Sequence, residues 1–190
     1  MNKQNKRGHK IKISVSPLFL IIVTALLLLD KTGAVPFCML CAVIHEVGHI
    51  IVMKFVGADI KEIKLSPFAV DINRTNASLP THKNILILSA GFLFNFIFAL
   101  MFYILFSLYP EKWVGYLLWG NVFVGVFNFL PLPNTDGYNI LKIILHHKTV
   151  KIISLLLSLF LIVFGIIILM KYYNPFLALF GIYSLVFSLI

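Results

Sequence analysis

Acidic residues are scarce in this sequence of 190 residues, which has seven Asp and Glu against sixteen Lys and Arg. Charged residues make up only 12% of the chain, whereas hydrophobic residues make up 60% and the mean hydropathy is +0.97. So little charge excludes an ordinary water-soluble domain. Low-complexity tracts, Gly/Ser linkers and long soluble appendages are also lacking. The composition therefore predicts a single integral membrane domain over 1–190.

Six apolar segments have about the length that is needed to cross the hydrocarbon of a bilayer. We predict an all-α polytopic membrane protein with about six transmembrane helices. The segments cover approximately 14–29, 35–56, 85–108, 113–130, 152–170 and 175–190, and the first and last are the shortest. Each tolerates some tilt or local thinning of the bilayer.

Positive charge is unevenly divided between alternate connections. If the N-terminus is inside the cell, thirteen of the sixteen Lys and Arg lie on the cytoplasmic side. Because cytoplasmic loops retain Lys and Arg during insertion, we predict a cytoplasmic N-terminus. The composition, without a targeting signal, favours a bacterial cytoplasmic membrane. This distribution accounts for the net charge of +9 without a nucleic-acid partner.

The longest polar connection contains an alternating stretch, from Ile63 to Asn73, with Ser66 and Pro67 near its middle. Apolar residues at every second position indicate strands, so we predict a short β-hairpin in the first cytoplasmic loop. An ordinary loop with a chance alternation is the alternative.

Cysteine is scarce too, and the only pair, Cys38 and Cys41, lies inside the second apolar segment. We interpret both as small packing residues. A metal role for Cys41 stays open, because it lies one helical turn before His45. Four other histidines lie in polar, cationic segments and are not expected to bind metal: His9, His82, His146 and His147.

The sequence His45-Glu46-Val47-Gly48-His49 lies in the middle of the second segment. On a helix, residues four apart share a face, so both imidazoles point in the same direction. Two neutral imidazoles supply half of a tetrahedral zinc site, and Glu46 is placed to act as general base. Ionisable groups within a membrane are costly, which favours a functional role.

A catalytic zinc ion needs a third protein ligand and an open fourth position. Besides Glu46, five acidic residues lie in polar connections: Asp30, Asp59, Glu62, Asp71 and Glu111. Only Asp136 is left in apolar surroundings. Pro131, Pro133 and Gly137 predict a helix break beside it, and broken backbone at membrane depth is tolerated where it lines a cavity.

The sequence resembles the site-two protease family of intramembrane metalloproteases. Three motifs carry the resemblance and occur in the family's order: HEVGH at 45–49, GFLFN at 91–95 and NFLPLPNTDG at 128–137. The matched region covers roughly half of the chain, and the surrounding pattern of spans is also similar. The resemblance implies an intramembrane zinc-dependent endopeptidase that cleaves membrane-embedded or membrane-associated substrates.

The resemblance implies that His45, His49 and Asp136 bind one zinc ion per chain and that Glu46 is the catalytic base. This assignment agrees with the one that spacing and burial favour.

Two amides are added by the resemblance. Asn95 and Asn128 are expected to bind the substrate backbone or to stabilise the oxyanion. The chain departs from the family pattern at Phe92, where proline is usual, and at Thr135, where a bulkier apolar residue is common. Neither departure removes a metal ligand.

The chain looks like a minimal member of the family, since it has no PDZ insertion and no nucleotide-sensing domain. It is most similar to the sporulation branch, which processes a sigma-factor precursor. Partners implied in this way are a membrane substrate, the lipid bilayer and regulatory membrane proteins.

Two other functions stay open on the residues alone. A membrane zinc protease that trims prenylated or soluble peptides uses a glutamate as third ligand, and here only Glu62 and Glu111 are candidates. A zinc transporter or scaffold would bind metal at the same cluster and cleave nothing.

Overall fold

The computed structural model describes residues 12–66, 69–74 and 79–189. Four basic residues that support the predicted orientation lie outside these residues: Lys3, Lys6, Arg7 and Lys10. His9, and Pro67 of the predicted hairpin, also lie outside them.

The described residues form seven helices and three strands. They follow in the order β1 (Lys12–Val15), α1 (Pro17–Leu29), α2 (Val35–Phe55), β2 (Ile60–Ser66), β3 (Ala69–Arg74), α3 (Thr81–Leu108), α4 (Lys112–Phe129), α5 (Asp136–Ile144), α6 (His147–Tyr172) and α7 (Phe176–Leu189). The predicted helical architecture with a small β-segment is confirmed.

Three of the described helices, α2, α3 and α6, are long and apolar enough to cross a membrane. The chain thus has the helices of a multi-pass membrane protein. Helices α1 and α7 are apolar but shorter, at 13 and 14 residues. A helix of that length extends only about 20 Å, against about 30 Å of hydrocarbon. The count of six spans stays a prediction.

The sheet has the order β1, β2, β3, with β2 and β3 antiparallel. This pairing confirms the predicted hairpin. The third strand, β1, differs from the prediction. It pairs in parallel with β2, and its last two residues belong to the segment that is predicted as the first span. Ser14 and Val15 therefore belong to the sheet, and α1 begins only at Pro17, where proline suits the first turn of a helix.

The side chain of Glu62, in β2, links this strand to β1. Its carboxylate accepts a hydrogen bond from the Ser14 hydroxyl at 3.2 Å and lies 3.5 Å from the Lys12 ammonium. The Ser14 hydrogen bond, and then the Lys12 charge, lower the pKa of Glu62.

A small apolar cluster holds the sheet against the end of α2 and the start of α3. In this cluster β2 packs with Met53, Ala58 and Ile87.

The helices have apolar outer surfaces and a partly polar interior. Large apolar side chains such as Leu28, Ile97 and Phe160 are exposed, which is appropriate for surfaces that face lipid rather than water. Polar side chains are buried between the helices instead: His45, His49, Asn95, Asn121, Thr135, Ser154, Ser158, Ser184 and Ser188.

Helices α6 and α7 form an antiparallel pair that packs through small residues. Ser154 and Ser188 lie 2.8 Å apart through their hydroxyl oxygens, and Ser158 and Ser184 lie 2.7 Å apart. Farther along the pair, Gly165 lies directly against the backbone of α7. Small residues allow such close approach where lipid offers no hydrophobic driving force between helices.

We predict that Gly165→Ala destabilises the protein. The new Cβ would lie 2.6 Å from Cα of Ala178, a backbone atom that cannot yield without moving α7. Overpacking of this kind costs about 1–3 kcal/mol, which thermal unfolding in detergent would detect as a lower Tm.

Gly115→Ala is the matched control, because its Cβ would come no closer than 3.4 Å to the Phe106 ring. Equal Tm values for the two variants would contradict the proposed close packing.

Candidate metal centre

Helix α2 places two histidines at its buried face. His45 and His49 are 5% and 7% exposed, and their Nε2 atoms lie 3.1 Å apart. Both rings reach the same point because residues four apart lie above one another on a helix.

Asp136 reaches the same point from a break between two helices. Helix α4 ends at Phe129, and α5 begins at Asp136 itself. The Thr135 hydroxyl lies 2.6 Å from the Leu130 carbonyl oxygen, and it also accepts a hydrogen bond from the backbone N–H of Tyr138. Thr135 thus links the segment after α4 to the first turn of α5 and caps that helix. These contacts fix the orientation of the adjacent residue, Asp136. Asp136 Oδ2 lies 3.1 Å from Nε2 of each histidine.

Glycines let the backbones approach closely around this cluster. A Cβ on Gly91 of α3 would meet both imidazoles, at 2.5 Å from Cε1 of His45. A Cβ on Gly137 would collide with the backbone carbonyl of Phe129. Gly91, beside the imidazoles, and Gly137, at the start of α5, therefore cannot be replaced by a larger residue without a shift of their neighbours.

Each histidine uses its second ring nitrogen for a separate contact. Nδ1 of His49 lies 2.7 Å from the carbonyl oxygen of Ile87, and Nδ1 of His45 lies 2.8 Å from Oδ1 of Asn95. Both partners accept hydrogen bonds, so each neutral ring has its proton on Nδ1 and a lone pair on Nε2.

With both rings neutral, three electron-pair donors therefore converge on one point. Oδ2 of Asp136 is buried and has no hydrogen-bond partner among the residues that the structure describes. A cation relieves this arrangement, because it accepts all three lone pairs. Tetrahedral zinc with ligands at about 2.0–2.1 Å separates them by about 3.3 Å. The observed separations of 3.1 Å fit that requirement closely, so the three residues form a candidate metal site.

The cluster opens onto a cavity of about 1010 Å³. Glu46 is partly buried and lines this cavity beside the two histidines. Asn128 also lines it, and its Nδ2 donates to the carbonyl oxygen of Val124 at 3.0 Å. The cavity is also lined by Val70, Ile72 and Arg74 of β3 and by Phe180 and Tyr183 of α7.

Asn95 lies behind His45 and not on the cavity wall. It is fully buried, and its Nδ2 donates to the carbonyl oxygen of Cys41 at 3.0 Å and to Oδ1 of Asn121 at 2.9 Å. With its oxygen directed at His45, every polar group of this side chain has a partner. These contacts favour a positioning role for Asn95 over the expected contact with substrate.

Other residues considered from the sequence lie apart from the cluster. Cys41 directs its sulfur toward the Leu117 carbonyl oxygen at 3.6 Å and is not part of the metal-binding group. Cys38 is exposed. His82, His146 and His147 are exposed as well. Asn121 was not recognised from the sequence, although an isolated amide inside an apolar span is a signal for function.

The fold is similar to that of a solved structure, the site-2 protease from Methanocaldococcus jannaschii. The TM-score is 0.67, and the match covers 93% of this chain and 88% of that one at 23% sequence identity. The chain therefore has the fold of a site-2 protease. No protein-family model matches the sequence, and no curated protein matches it either.

We predict that Gly91→Ala weakens metal binding at this candidate site. The added methyl group would occupy space that the two imidazoles now fill, so the rings must move away from Asp136. Competition with a chelator should show a lower zinc affinity for this variant in detergent.

Gly115→Ala again provides the control, because its Cβ would make only ordinary van der Waals contact with the Phe106 ring. Unchanged affinity in Gly91→Ala would show that the ring positions are not set by α3.

Proposed function

We propose that this protein is an intramembrane zinc-dependent endopeptidase in which His45, His49 and Asp136 bind one zinc ion and Glu46 is the catalytic base. The convergence of three lone pairs on one point carries the proposal. The fold of a site-2 protease supports the same activity.

The chemistry needs both a Lewis acid and a base. Zinc at such a site makes water more acidic and polarises a carbonyl group. Glu46 follows the first histidine in the chain and faces the same cavity, so it takes the proton from the attacking water. The same carboxyl then returns the proton to the leaving amine nitrogen. Asn128, which lines the cavity, is proposed to bind the substrate backbone near the scissile bond.

Substrates are proposed to be membrane-embedded or membrane-associated chains. A helix hides its peptide bonds within its own hydrogen bonds, so the substrate must unwind before it can be cleaved. The cavity of about 1010 Å³ has room for an extended segment of chain.

Strand β3 is proposed to hold that unwound segment. It is an edge strand of the described sheet, and its residues Val70 and Ile72 line the cavity. The N–H of Ser16 donates to the carbonyl oxygen of Leu65, so the polar backbone groups of Leu65 face β1. Leu65 pairs with Val70, and the alternation of an antiparallel ladder then directs the N–H and C=O of Val70 to the free edge. An extended peptide can add there as a fourth strand.

Leu65 lies in the central strand between β1 and β3, so its backbone is not available to a substrate. Within the hairpin, only the β3 side offers free backbone groups beside the cavity.

The remaining assignments are proposed together. They are a single membrane domain, a bacterial cytoplasmic membrane with the N-terminus in the cytoplasm, and a place in the sporulation branch of site-two proteases with its regulatory membrane partners.

Zinc content and cleavage, measured in parallel on purified protein, test the function. We expect about one zinc ion per chain in the unaltered protein and in Glu46→Gln, and little in His45→Ala or Asp136→Ala. Cleavage of a membrane-spanning peptide should fall at least about 100-fold in Glu46→Gln, because general base catalysis is lost.

Zinc retained in Asp136→Ala would refute the ligand assignment. If the protein binds zinc and moves it across vesicle membranes but cleaves no membrane peptide, the result would favour a transporter instead.

Strand addition is tested by Val70→Pro, which removes the N–H at the free edge, while edge strands tolerate proline. We expect kcat/KM to fall about fivefold relative to Val70→Ala, since one backbone hydrogen bond contributes about 1 kcal/mol. Zinc content should be the same in both variants. Equal cleavage by Val70→Pro and Val70→Ala would exclude a backbone contact at this residue.

A further inference from the structure

Asn121 is a fully buried amide in the middle of α4 that the proposed reaction does not use. It contacts neither the cavity nor the metal-binding residues. A buried amide costs free energy unless its polar groups are hydrogen-bonded, so its partners indicate its purpose. Those partners lie on α2, on α3 and on its own helix.

The direction of its hydrogen bonds is fixed by a carbonyl group. One end of the Asn121 amide lies 2.8 Å from the Leu117 carbonyl oxygen, which can only accept. That end must therefore be the NH₂ group, which also donates to the Cys41 sulfur at 3.2 Å. The amide oxygen is left to accept from Asn95 at 2.9 Å.

The orientation of Asn95 is fixed in the same way. Its NH₂ group lies between two acceptors, the Cys41 carbonyl oxygen at 3.0 Å and the Asn121 amide oxygen. Its oxygen is consequently directed at Nδ1 of His45, at 2.8 Å. That nitrogen must carry the proton, which leaves the lone pair of His45 on Nε2, beside Asp136.

We propose that Asn121 is a positioning residue that selects the metal-binding tautomer of His45 through Asn95. Without the Asn121 oxygen, the Asn95 amide has one acceptor fewer to hold its orientation. A reversed amide would present NH₂ to Nδ1 and would favour the tautomer with the proton on Nε2, where no metal can bind. The consequence for zinc rests on the proposed metal site, whereas the tautomer itself does not.

His49 does not depend on this network. Its Nδ1 contacts the backbone carbonyl oxygen of Ile87 directly, at 2.7 Å, and a backbone carbonyl cannot reverse. The two ligands from α2 are therefore set by different means, and only His45 should respond to a change at Asn121. This difference supplies an internal control.

The test is Asn121→Leu, with Asn128→Leu as its matched control. Both asparagines are on α4 and donate to a carbonyl oxygen of their own helix, but the hydrogen bond to Asn95 is made by Asn121 and not by Asn128. Nitrogen NMR of zinc-free protein labelled at histidine distinguishes protonated from unprotonated ring nitrogens. We expect part of the His45 population in Asn121→Leu to show protonated Nε2, because the Cys41 carbonyl oxygen still opposes reversal of the Asn95 amide. His49 should be unchanged, and Asn128→Leu should match the unaltered protein. Zinc affinity of Asn121→Leu should fall by up to about 10-fold.

A conservative variant separates orientation from packing. Asn121→Asp is expected to be protonated at this fully buried position. Its O–H can then donate to the Leu117 carbonyl oxygen while its second oxygen accepts from Asn95, so the variant should retain the tautomer and most of the zinc affinity that Asn121→Leu loses. Unchanged His45 signals in Asn121→Leu, equal shifts in Asn128→Leu, or equal losses in Asn121→Asp and Asn121→Leu would each overturn the proposal. The expected tautomer without any zinc binding would uphold the network and refute the proposed function instead.

Discussion

The structure depends on three lone pairs, from two imidazoles and one carboxylate, that meet at separations of 3.1 Å inside an apolar protein. A cation at this point would satisfy all three donors, provided that the surrounding protein holds each of them in place. The neighbouring helices supply that support. Helix α3 approaches through Gly91, and α4 stops early enough for Asp136 to enter from the side.

The same constraint explains where the polar residues lie. Outside, the helices present leucine, isoleucine and phenylalanine to lipid, which offers no hydrogen bonds. Inside, the asparagines and serines have partners within the protein, as in the contacts between α6 and α7 and in the network behind His45. Polar side chains are therefore concentrated where they bond two helices together or orient a residue of the candidate metal site.

Features that depend on local pattern could be predicted from the sequence. The helical spacing of His45 and His49, the hairpin and the helix break beside Asp136 all follow from periodicity or from turn residues. Strand β1 could not be predicted, because its partner lies about 50 residues later in the chain. Helix α5 was missed because it is short, at nine residues, and follows the break directly.

The hydrogen bonds of the amides were beyond prediction for a different reason. Asn95 was recognised by its motif, but its expected contact with substrate required knowledge of which atoms surround it. The structure places the Cys41 carbonyl oxygen and Asn121 beside it, from two other helices. Such contacts between segments determine the direction of a hydrogen bond, and no periodicity in a single segment encodes them.

The third ligand comes from a separate and later part of the chain than the first two. Synthesis proceeds from the N-terminus, so a growing chain inserted as far as α4 carries both histidines but not Asp136. Two imidazoles alone make an incomplete site for zinc. The proposed hydrolytic activity therefore requires α5 to have docked beside α2.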